Sequence, residues 1–398
     1  MKDVRIEKWE QDLDQLAASL PSKHKNLFYK MKSESFYKKI ARLKSELSTL
    51  DNIEILVRIC KIVAAARDGH TSVLFPAREF LPFKVYWFEE GIYILAATSG
   101  QADLVNCKVE RINGMEIDQA VGLFKKVISH ENELFFRSQL PDYLCAVDIL
   151  YGLEIVDETN EVELELTGID GNPFRTVVPS VSSDEYHSIL TEVDSDLDRI
   201  PLYRRNGDQP YWSEMIDDYN TLYFNYNSCR EMTAGGLGDF TEAIMNQIKK
   251  NDVERLILDL RNNRGGNSTL LDPFIDKIRK CEKINQAGRL YVVIGRDTFS
   301  SALLNAYALK NKTNAIFIGE PTGGKPNCYG EVQYFKLNNS KVEIRYSTKY
   351  YKLIKSDTVL SLSPDVELLP TFRDYIENRD PCLEYVLQNA KTFDKITE

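Results

Sequence analysis

Two adjacent serines, Ser300 and Ser301, stand where the apolar run LYVVIG, typical of a buried strand, meets SALLNAYALKN, typical of an apolar helix. A serine hydroxyl at such a junction lies beside the positive end of the helix dipole and becomes a nucleophile once a base takes its proton. The alternative is that Ser300 only caps the helix, as serine commonly does. The local pattern by itself favours the cap.

Two further loops follow strand-like runs in the same region. RNNRGGN follows LILDL, and its adjacent Gly265 and Gly266 allow a backbone path whose N–H groups point into a cleft, as an oxyanion hole requires. GEPTGGKPN follows AIFIG and carries Lys325. Because α/β sheets place ligands at the carboxyl ends of their strands, both loops are candidates to lie beside Ser300. A tight turn and a solvated surface lysine are the alternatives.

A base for Ser300 must come from a short list. The chain has 4 histidines, among them His70 in DGHTSV, so histidine-dependent chemistry has few candidates; Lys325 is the charged group of the third loop. An ordinary histidine, with a pKa of about 6.5, is largely neutral at pH 7, whereas a lysine pKa of about 10.4 must fall by roughly 3.4 units, or about 4 to 5 kcal/mol. Histidine is therefore the favoured base; a structural role is the alternative for both residues.

The segments LDLRNNRGG, TFS and GEPTGGK, in this order, resemble the core of the tail-specific (C-terminal-processing) serine proteases and their tricorn relatives, peptidase family S41. The resemblance implies a ClpP/crotonase-like core in which Ser300, the serine of the T-x-S turn, is the nucleophile. It also implies that backbone N–H groups of Gly265 or Gly266 and of Ser301 hold the oxyanion.

The two branches of this family differ in their base. The tail-specific branch uses a lysine, which Lys325 matches, and the tricorn-like branch uses a histidine, which His70 matches; we favour His70 and the tricorn-like branch. The tricorn-like branch orients its histidine with a glutamate shortly before a PD pair. Here KSDTVLSLSPD offers Asp357 at that point, and Glu331 is its rival. Lys325 would then act electrostatically or bind a peptide carbonyl or terminus.

Hydrophobic periodicity predicts the elements that carry these residues. Apolar residues at three-to-four spacing predict a helical domain over residues 1–75, with Gly69 as the left-handed cap of its third helix. Short strands and an LVNCKVERINGMEIDQA segment that resembles a PDZ module predict a PDZ-like β-rich domain over 76–182. The polar stretch SVSSDEYHSILTEVDSDLD is expected to connect it to a catalytic domain over 183–398, in which strands alternate with helices. The fold class is α/β within a multidomain α+β protein.

Composition excludes several classes of protein. The 398 residues are 43% hydrophobic and 28% charged, and the net charge of −10 argues against a large nucleic-acid footprint. The chain has no apolar run long enough for a membrane span and no secretory h-region, so we expect a cytoplasmic protein unless a leader was removed. Its 7 scattered cysteines predict reduced, mostly buried thiols. No metal or organic cofactor is expected; the oligomeric state stays open.

The sequence thus predicts a serine endopeptidase that cuts polypeptides through an acyl-enzyme on Ser300. The alternative is a catalytically inactive protein of the same core that binds a peptide or hydrophobic ligand, since retinoid-binding proteins of photoreceptors share this core without using it as a protease. A third possibility keeps Ser300 as nucleophile but hydrolyses a small ester.

Overall fold

The computed structural model describes residues 3–189, 200–233, 235–250 and 252–397. The chain packs as two compact units, one of residues 1–193 with 328–351 and the other of 194–327 with 352–398. Each unit combines helices and strands, which confirms the multidomain α+β class. The segment 328–351 packs within the first unit. This division into two units differs from the division into three domains expected from the sequence, which stays a prediction.

The helices and strands are numbered along the chain. The helices are α1 Val4–Lys23, α2 Ser33–Glu46, α3 Asn52–Ala64, α4 Ile117–Phe124, α5 Glu133–Leu144, α6 Val147–Gly152, α7 Ser183–Ser188, α8 Leu237–Lys250, α9 Asp272–Ile278, α10 Ser301–Lys312, α11 Phe372–Ile376 and α12 Pro381–Thr397. The strands are β1 Ser72–Leu74, β2 Glu79–Phe80, β3 Phe83–Phe88, β4 Gly91–Ala97, β5 Lys108–Ile112, β6 Met115–Glu116, β7 Glu161–Thr167, β8 Pro173–Pro179, β9 Val181–Ser182, β10 Tyr211–Ile216, β11 Thr221–Tyr226, β12 Arg255–Asp259, β13 Leu290–Ile294, β14 Ile316–Gly319, β15 Asn327–Lys336, β16 Glu343–Lys352 and β17 Val366–Glu367.

Three helices open the first unit, as the periodicity predicts. The repeated apolar residues, Leu13 and Leu16 of α1 with Phe36 of α2 among them, are buried in one continuous core. Asp51 begins α3 with a capping box, accepting the Glu54 N–H while the Glu54 carboxylate accepts the Asp51 N–H. The packing of these helices therefore follows directly from their apolar faces.

The predicted glycine cap of α3 is wrong. The helix ends at Ala64, five residues before Gly69, and the left-handed residue is Arg67, with φ of 52°. The physical reason is the side chain of Asp68, which accepts the backbone N–H of His70 and so shapes the turn that follows the helix. Gly69 is therefore not needed as the residue that reverses the backbone.

An antiparallel sheet in the order β3-β4-β5-β7-β8, with β6 paired to β5, forms the β-rich part of the first unit. Each of its five main strands was predicted from short alternating runs, and the predicted helix after the INGM turn is α4. Helices α5 and α6 were not predicted. The polar connecting stretch falls partly on residues 190–199, which lie outside the described residues.

The hairpin of β15 and β16 joins β1 in a three-stranded sheet with the order β1-β16-β15. Its turn is fastened to α1 by the buried carboxylate of Asp12, which accepts the N–H groups of Asn339 and Ser340 at 2.8 Å each. The hairpin therefore packs against the helices that open the chain, although more than 300 residues separate them in sequence.

A six-stranded sheet in the order β10-β11-β12-β13-β14-β17 forms the second unit. Neighbouring strands in the order β11-β12-β13-β14-β17 pair in parallel, and β10 pairs antiparallel with β11, which confirms the predicted largely parallel sheet. Residues of β12 and β13 are buried on both faces of the sheet, which explains why their sequences read as unbroken apolar runs. The three predicted loops leave the carboxyl ends of β12, β13 and β14.

Six of the seven thiols are buried and Cys281 is half-buried, as the scattered spacing predicted. Among the described residues, no three or more histidine, cysteine, aspartate or glutamate side chains group closely enough to hold a metal ion. Within the same ranges, every helix is too short or too polar to cross a membrane.

Candidate active site

Ser300 occupies a strained turn between β13 and α10. Its backbone has φ of 52° and ψ of −123°, and its side chain makes no capping hydrogen bond to the helix that follows. A positive φ is unfavourable for a residue with a Cβ and persists only where surrounding contacts hold it, which is common at active sites. The hydroxyl of Ser300 is therefore not used as a helix cap, contrary to the structural alternative.

Backbone contacts from two other loops hold this turn. The hydroxyl of the buried Thr298 donates to the carbonyl of Leu260, at the end of β12, at 2.9 Å, and the carbonyl of Thr298 accepts the N–H of Gly324 at 3.1 Å. The N–H of Phe299 donates to the carbonyl of Asn263 at 3.1 Å. The three loops that the sequence singled out are thus bonded to one another.

Both glycines of the RGGN loop are required because neighbouring segments of the chain approach their Cα atoms closely. A Cβ on Gly265, whose φ is 108°, would lie 2.8 Å from the Cβ of Ser300 and 3.0 Å from the nitrogen of Ser301. A Cβ on Gly266, whose φ is 134°, would lie 2.3 Å from the carbonyl oxygen of Cys229. Only residues without a side chain fit these positions.

The backbone donors near Ser300 are not equivalent. The N–H of Gly265 donates to Oδ1 of Asn263 at 2.9 Å. Among the described residues, the N–H groups of Gly266 and Ser301 donate to no other group, and Ser301 Oγ donates to the Gly266 carbonyl at 2.6 Å. Ser301 is the first residue of α10, where a helix leaves its N–H groups without intrahelical acceptors. This geometry supports Gly266 rather than Gly265 as an oxyanion donor.

The loop after β14 is anchored by a buried ion pair. Arg296 contacts both carboxylate oxygens of Glu320, at 2.7 to 3.0 Å, and their side chains are only 4% and 6% exposed. Lys325 in the same loop is 7% exposed. The Lys325 residue is therefore almost fully buried in the loop bonded to the serine turn.

A buried carboxylate, Asp68, organises the surroundings of His70 in the first unit. Its oxygens accept hydrogen bonds from His24 Nε2 at 3.0 Å, from the hydroxyls of Thr71 and Ser347 at 2.6 Å each, and from the His70 N–H at 3.0 Å. Burial alone would raise the pKa of Asp68, but the hydrogen bond from His24, the charge of His70 and the two hydroxyls together lower it to about 2. Asp68 is therefore ionised at neutral pH.

His70 is buried beside this carboxylate. Its Nδ1 lies 3.9 Å from Oδ1 of Asp68, and its ring lies close to the hairpin, since a Cβ on Gly330 would be 3.8 Å from His70 Cε1. Burial lowers the pKa of His70 below its ordinary value, against the charge of Asp68, which raises it. The imidazole is therefore neutral at pH 7, as a general base requires. Sequence reasoning missed Asp68; the signal available was its carboxylate two residues before His70.

Asp357 and Glu331, the two carboxylates predicted to orient the base, each accept a hydrogen bond from a residue of their own unit. Asp357 Oδ1, in the second unit, accepts from Nδ2 of Asn327 at 2.7 Å. Glu331, in the first unit, is exposed, has φ of 59°, and accepts from the hydroxyl of Tyr351 at 2.6 Å. Their roles toward His70 stay predictions.

Comparison with known proteins agrees with the motifs. Residues 274–368, which include Ser300 and Lys325 but neither Gly265 nor His70, match the model of peptidase family S41 and so confirm the resemblance to it. The fold is similar to mature CPAF complexed with lactacystin, at a TM-score of 0.66 and 13% identity over 99% of both chains. It is also similar to a serine-to-alanine mutant of CPAF, at a TM-score of 0.68 and 13% identity over 98% of this chain and 97% of that one. No curated protein matches the sequence.

Proposed function

We propose that this chain, whose residues 274–368 match peptidase family S41, is a serine endopeptidase that cleaves polypeptides through an acyl-enzyme on Ser300. The observation that carries the proposal is the strained Ser300 turn, where the hydroxyl makes no helix cap and the backbone donors of Gly266 and Ser301 lie close by. Strain of this kind is retained where the site depends on it.

In the proposed reaction, Ser300 Oγ attacks the scissile carbonyl carbon while a base removes the hydroxyl proton. The carbonyl oxygen becomes an oxyanion that accepts hydrogen bonds from the N–H groups of Gly266 and Ser301, assisted by the dipole of α10. The base returns the proton to the leaving amine as the C–N bond breaks, and water then hydrolyses the ester on Ser300.

We assign the base role to His70 and therefore place the chain nearer the tricorn-like branch. Support comes from its burial, its lowered pKa, and the ionised Asp68 beside it, which can stabilise the imidazolium formed during the reaction. Asp68 joins Asp357 and Glu331 as a candidate orienting group. Lys325 is kept as the second candidate base, or as the group that binds a carbonyl or terminal carboxylate of the peptide.

A fluorophosphonate probe and fluorescent casein test the proposal on the full chain. Ser300→Ala should abolish both probe labelling and casein cleavage, whereas Ser45→Ala, which removes an exposed hydroxyl of α2, should leave both unchanged. Labelling retained by Ser300→Ala would refute the assignment of the nucleophile. A folded wild-type protein that neither labels nor cleaves would instead favour the non-catalytic binding protein.

A further inference from the structure

We infer that Asn263 is a positioning residue that withdraws the Gly265 N–H from the oxyanion site and leaves the Gly266 N–H as the donor of its loop. This inference rests on the proposed function, because it concerns how the loop serves the reaction at Ser300. It departs from the sequence-based expectation, in which Gly265 and Gly266 were interchangeable donors.

The side chain of Asn263 is fully buried and engaged at both ends. Its Nδ2 donates to the carbonyl of Tyr226, at the end of β11, at 2.7 Å, and its Oδ1 accepts the Gly265 N–H at 2.9 Å. Its backbone carbonyl also accepts the N–H of Phe299, next to the nucleophile. A buried amide suits this position because it must be a donor on one side and an acceptor on the other.

The thiol of Cys229 lies 3.5 Å from Asn263 Oδ1 and equally 3.5 Å from Oδ1 of Asn305, so its single hydrogen serves one of the two acceptors at a time. Burial raises the pKa of Cys229 to about 11, so that the group stays a thiol at neutral pH. Asn263 Oδ1 cannot turn away from Gly265 without losing the hydrogen bond from the Gly265 N–H.

The direction of the Gly266 N–H follows from the peptide unit that contains it. The carbonyl of Gly265 accepts the backbone N–H of Cys229 at 3.0 Å. Because the C=O and N–H of a trans peptide point in opposite directions, the Gly266 N–H points away from Cys229. The next peptide is fixed as well, since the Gly266 carbonyl accepts Ser301 Oγ and the Asn267 N–H donates to the Cys229 carbonyl at 2.8 Å. The orientation of Gly266 is therefore set on both sides.

The neutrality of Asn263 also matters for the reaction. An aspartate in this position could accept the same N–H, but its negative charge would contact Gly265, the residue before the glycine that stabilises the oxyanion, in a buried setting where charges interact strongly. A protonated aspartate would reproduce the amide, with a carbonyl toward Gly265 and an O–H toward the Tyr226 carbonyl.

The first test measures how fast the fluorophosphonate labels Ser300. In this step the Ser300 oxygen forms a bond to phosphorus, fluoride leaves, and the hydroxyl proton passes to the base. We expect Asn263→Ala to lower the labelling rate constant and kcat for a casein-derived peptide by about 10² to 10³, the usual effect of losing an oxyanion donor, with KM changed less than about threefold. Asn262→Ala, the same change at the neighbouring exposed residue, should stay within about twofold of wild type.

Asn263→Asp separates positioning from mere packing. We expect the labelling rate constant of Asn263→Asp, divided by that of wild type at the same pH, to rise as the pH falls and the aspartate becomes protonated. Dividing by the wild-type value removes the contribution that titration of the base makes to both proteins. Thermal unfolding of each variant is recorded in parallel. A purely structural role would lower the melting temperature or the fraction of labelled protein without changing the rate constant of the folded fraction, and that result would overturn the inference.

A crystal structure of the phosphonylated wild type decides the matter even if the Asn263 variants fail to fold. The phosphonyl oxygen should lie about 3 Å from the nitrogens of Gly266 and Ser301, while the Gly265 N–H stays on Asn263. An oxygen bonded to the Gly265 nitrogen, or an Asn263→Ala variant that labels as fast as wild type, would refute the role of Asn263. A wild-type protein that never labels would refute the proposed function itself.

Discussion

The Cβ that an alanine would place at position 265 lies 2.8 Å from the Cβ of Ser300, so the glycine loop and the Ser300 turn approach more closely than any side chain at position 265 permits. Gly265→Ala should therefore displace Ser300 and, because its φ of 108° is strained for alanine, should lower the labelling rate by about 10²-fold. The measurement is the rate of fluorophosphonate labelling per folded molecule.

Gly238→Ala is the matched control for this change. It lies in the first turn of α8, and a Cβ there meets no atom within 4 Å. We expect wild-type labelling and a neutral or slightly raised melting temperature, since alanine is the better helix former. Wild-type labelling by Gly265→Ala as well would show that the two loops need not approach each other so closely.

The pH dependence of kcat/KM should reveal the base. Only the neutral imidazole can accept the serine proton, and burial lowers the pKa of His70, so activity should fall on the acid side with a midpoint below 6.5. Because the charge of Asp68 raises the pKa of His70, Asp68→Asn should move that midpoint lower still.

Two variants distinguish the candidate bases. We expect His70→Ala to lose activity, while Lys325→Ala keeps the acid limb of the wild type. The reverse outcome, an active His70→Ala and an inactive Lys325→Ala with a limb in the alkaline range, would assign the base to Lys325. The pH profile is measured on both variants with the same peptide.

Asp68 should also contribute to stability in a pH-dependent way. Its pKa of about 2 in the folded protein is lower than the ordinary value of 3.8, so folding favours the ionised form. The stabilisation, roughly 2 to 3 kcal/mol, is present above about pH 4 and is lost as the pH falls toward 2. Urea unfolding at several pH values should therefore show Asp68→Asn most destabilised near neutrality and least at pH 2. Asp103→Asn, at an exposed site, should show no such trend.

The buried pair of Arg296 and Glu320 should behave non-additively. Glu320→Leu leaves the Arg296 guanidinium buried without its partner and should cost about 3 to 5 kcal/mol, whereas the double change with Arg296→Met should be less damaging than Glu320→Leu alone. In the exposed pair of Arg373 and Glu377, Glu377→Leu should change the free energy of unfolding by less than about 1 kcal/mol. Additive effects in the buried pair would contradict its coupling.

Local sequence patterns predicted most elements because apolar periodicity depends on which face of an element is buried. The strands β12 and β13 read as mostly apolar runs because both faces of their sheet are buried. β10 and β17 were missed; β17 is only two residues long and carries no usable period. The cap at Gly69 failed because a tertiary contact, made by Asp68, decides how that turn runs.

The candidate site was only partly predictable for a similar reason. The Ser300 turn and the glycine loop carry motifs, but the roles proposed for Asp68 and Asn263 depend on partners distant in the chain. Ser347 donates to Asp68 across 279 positions, and Tyr226 accepts from Asn263 across 37. No local pattern encodes such pairings, since they depend on which segments the fold brings together.

The placement of residues 328–351 in the first unit bears on the timing of synthesis. A ribosome releases Asp68 and its neighbours long before it makes the hairpin that carries Ser347, and domains fold as their segments emerge. In the nascent chain the surroundings of His70 are therefore incomplete until the hairpin that carries Ser347 has been translated. The carboxylate beside His70 thus gains its hydrogen bond from Ser347 only after 279 further residues have been made.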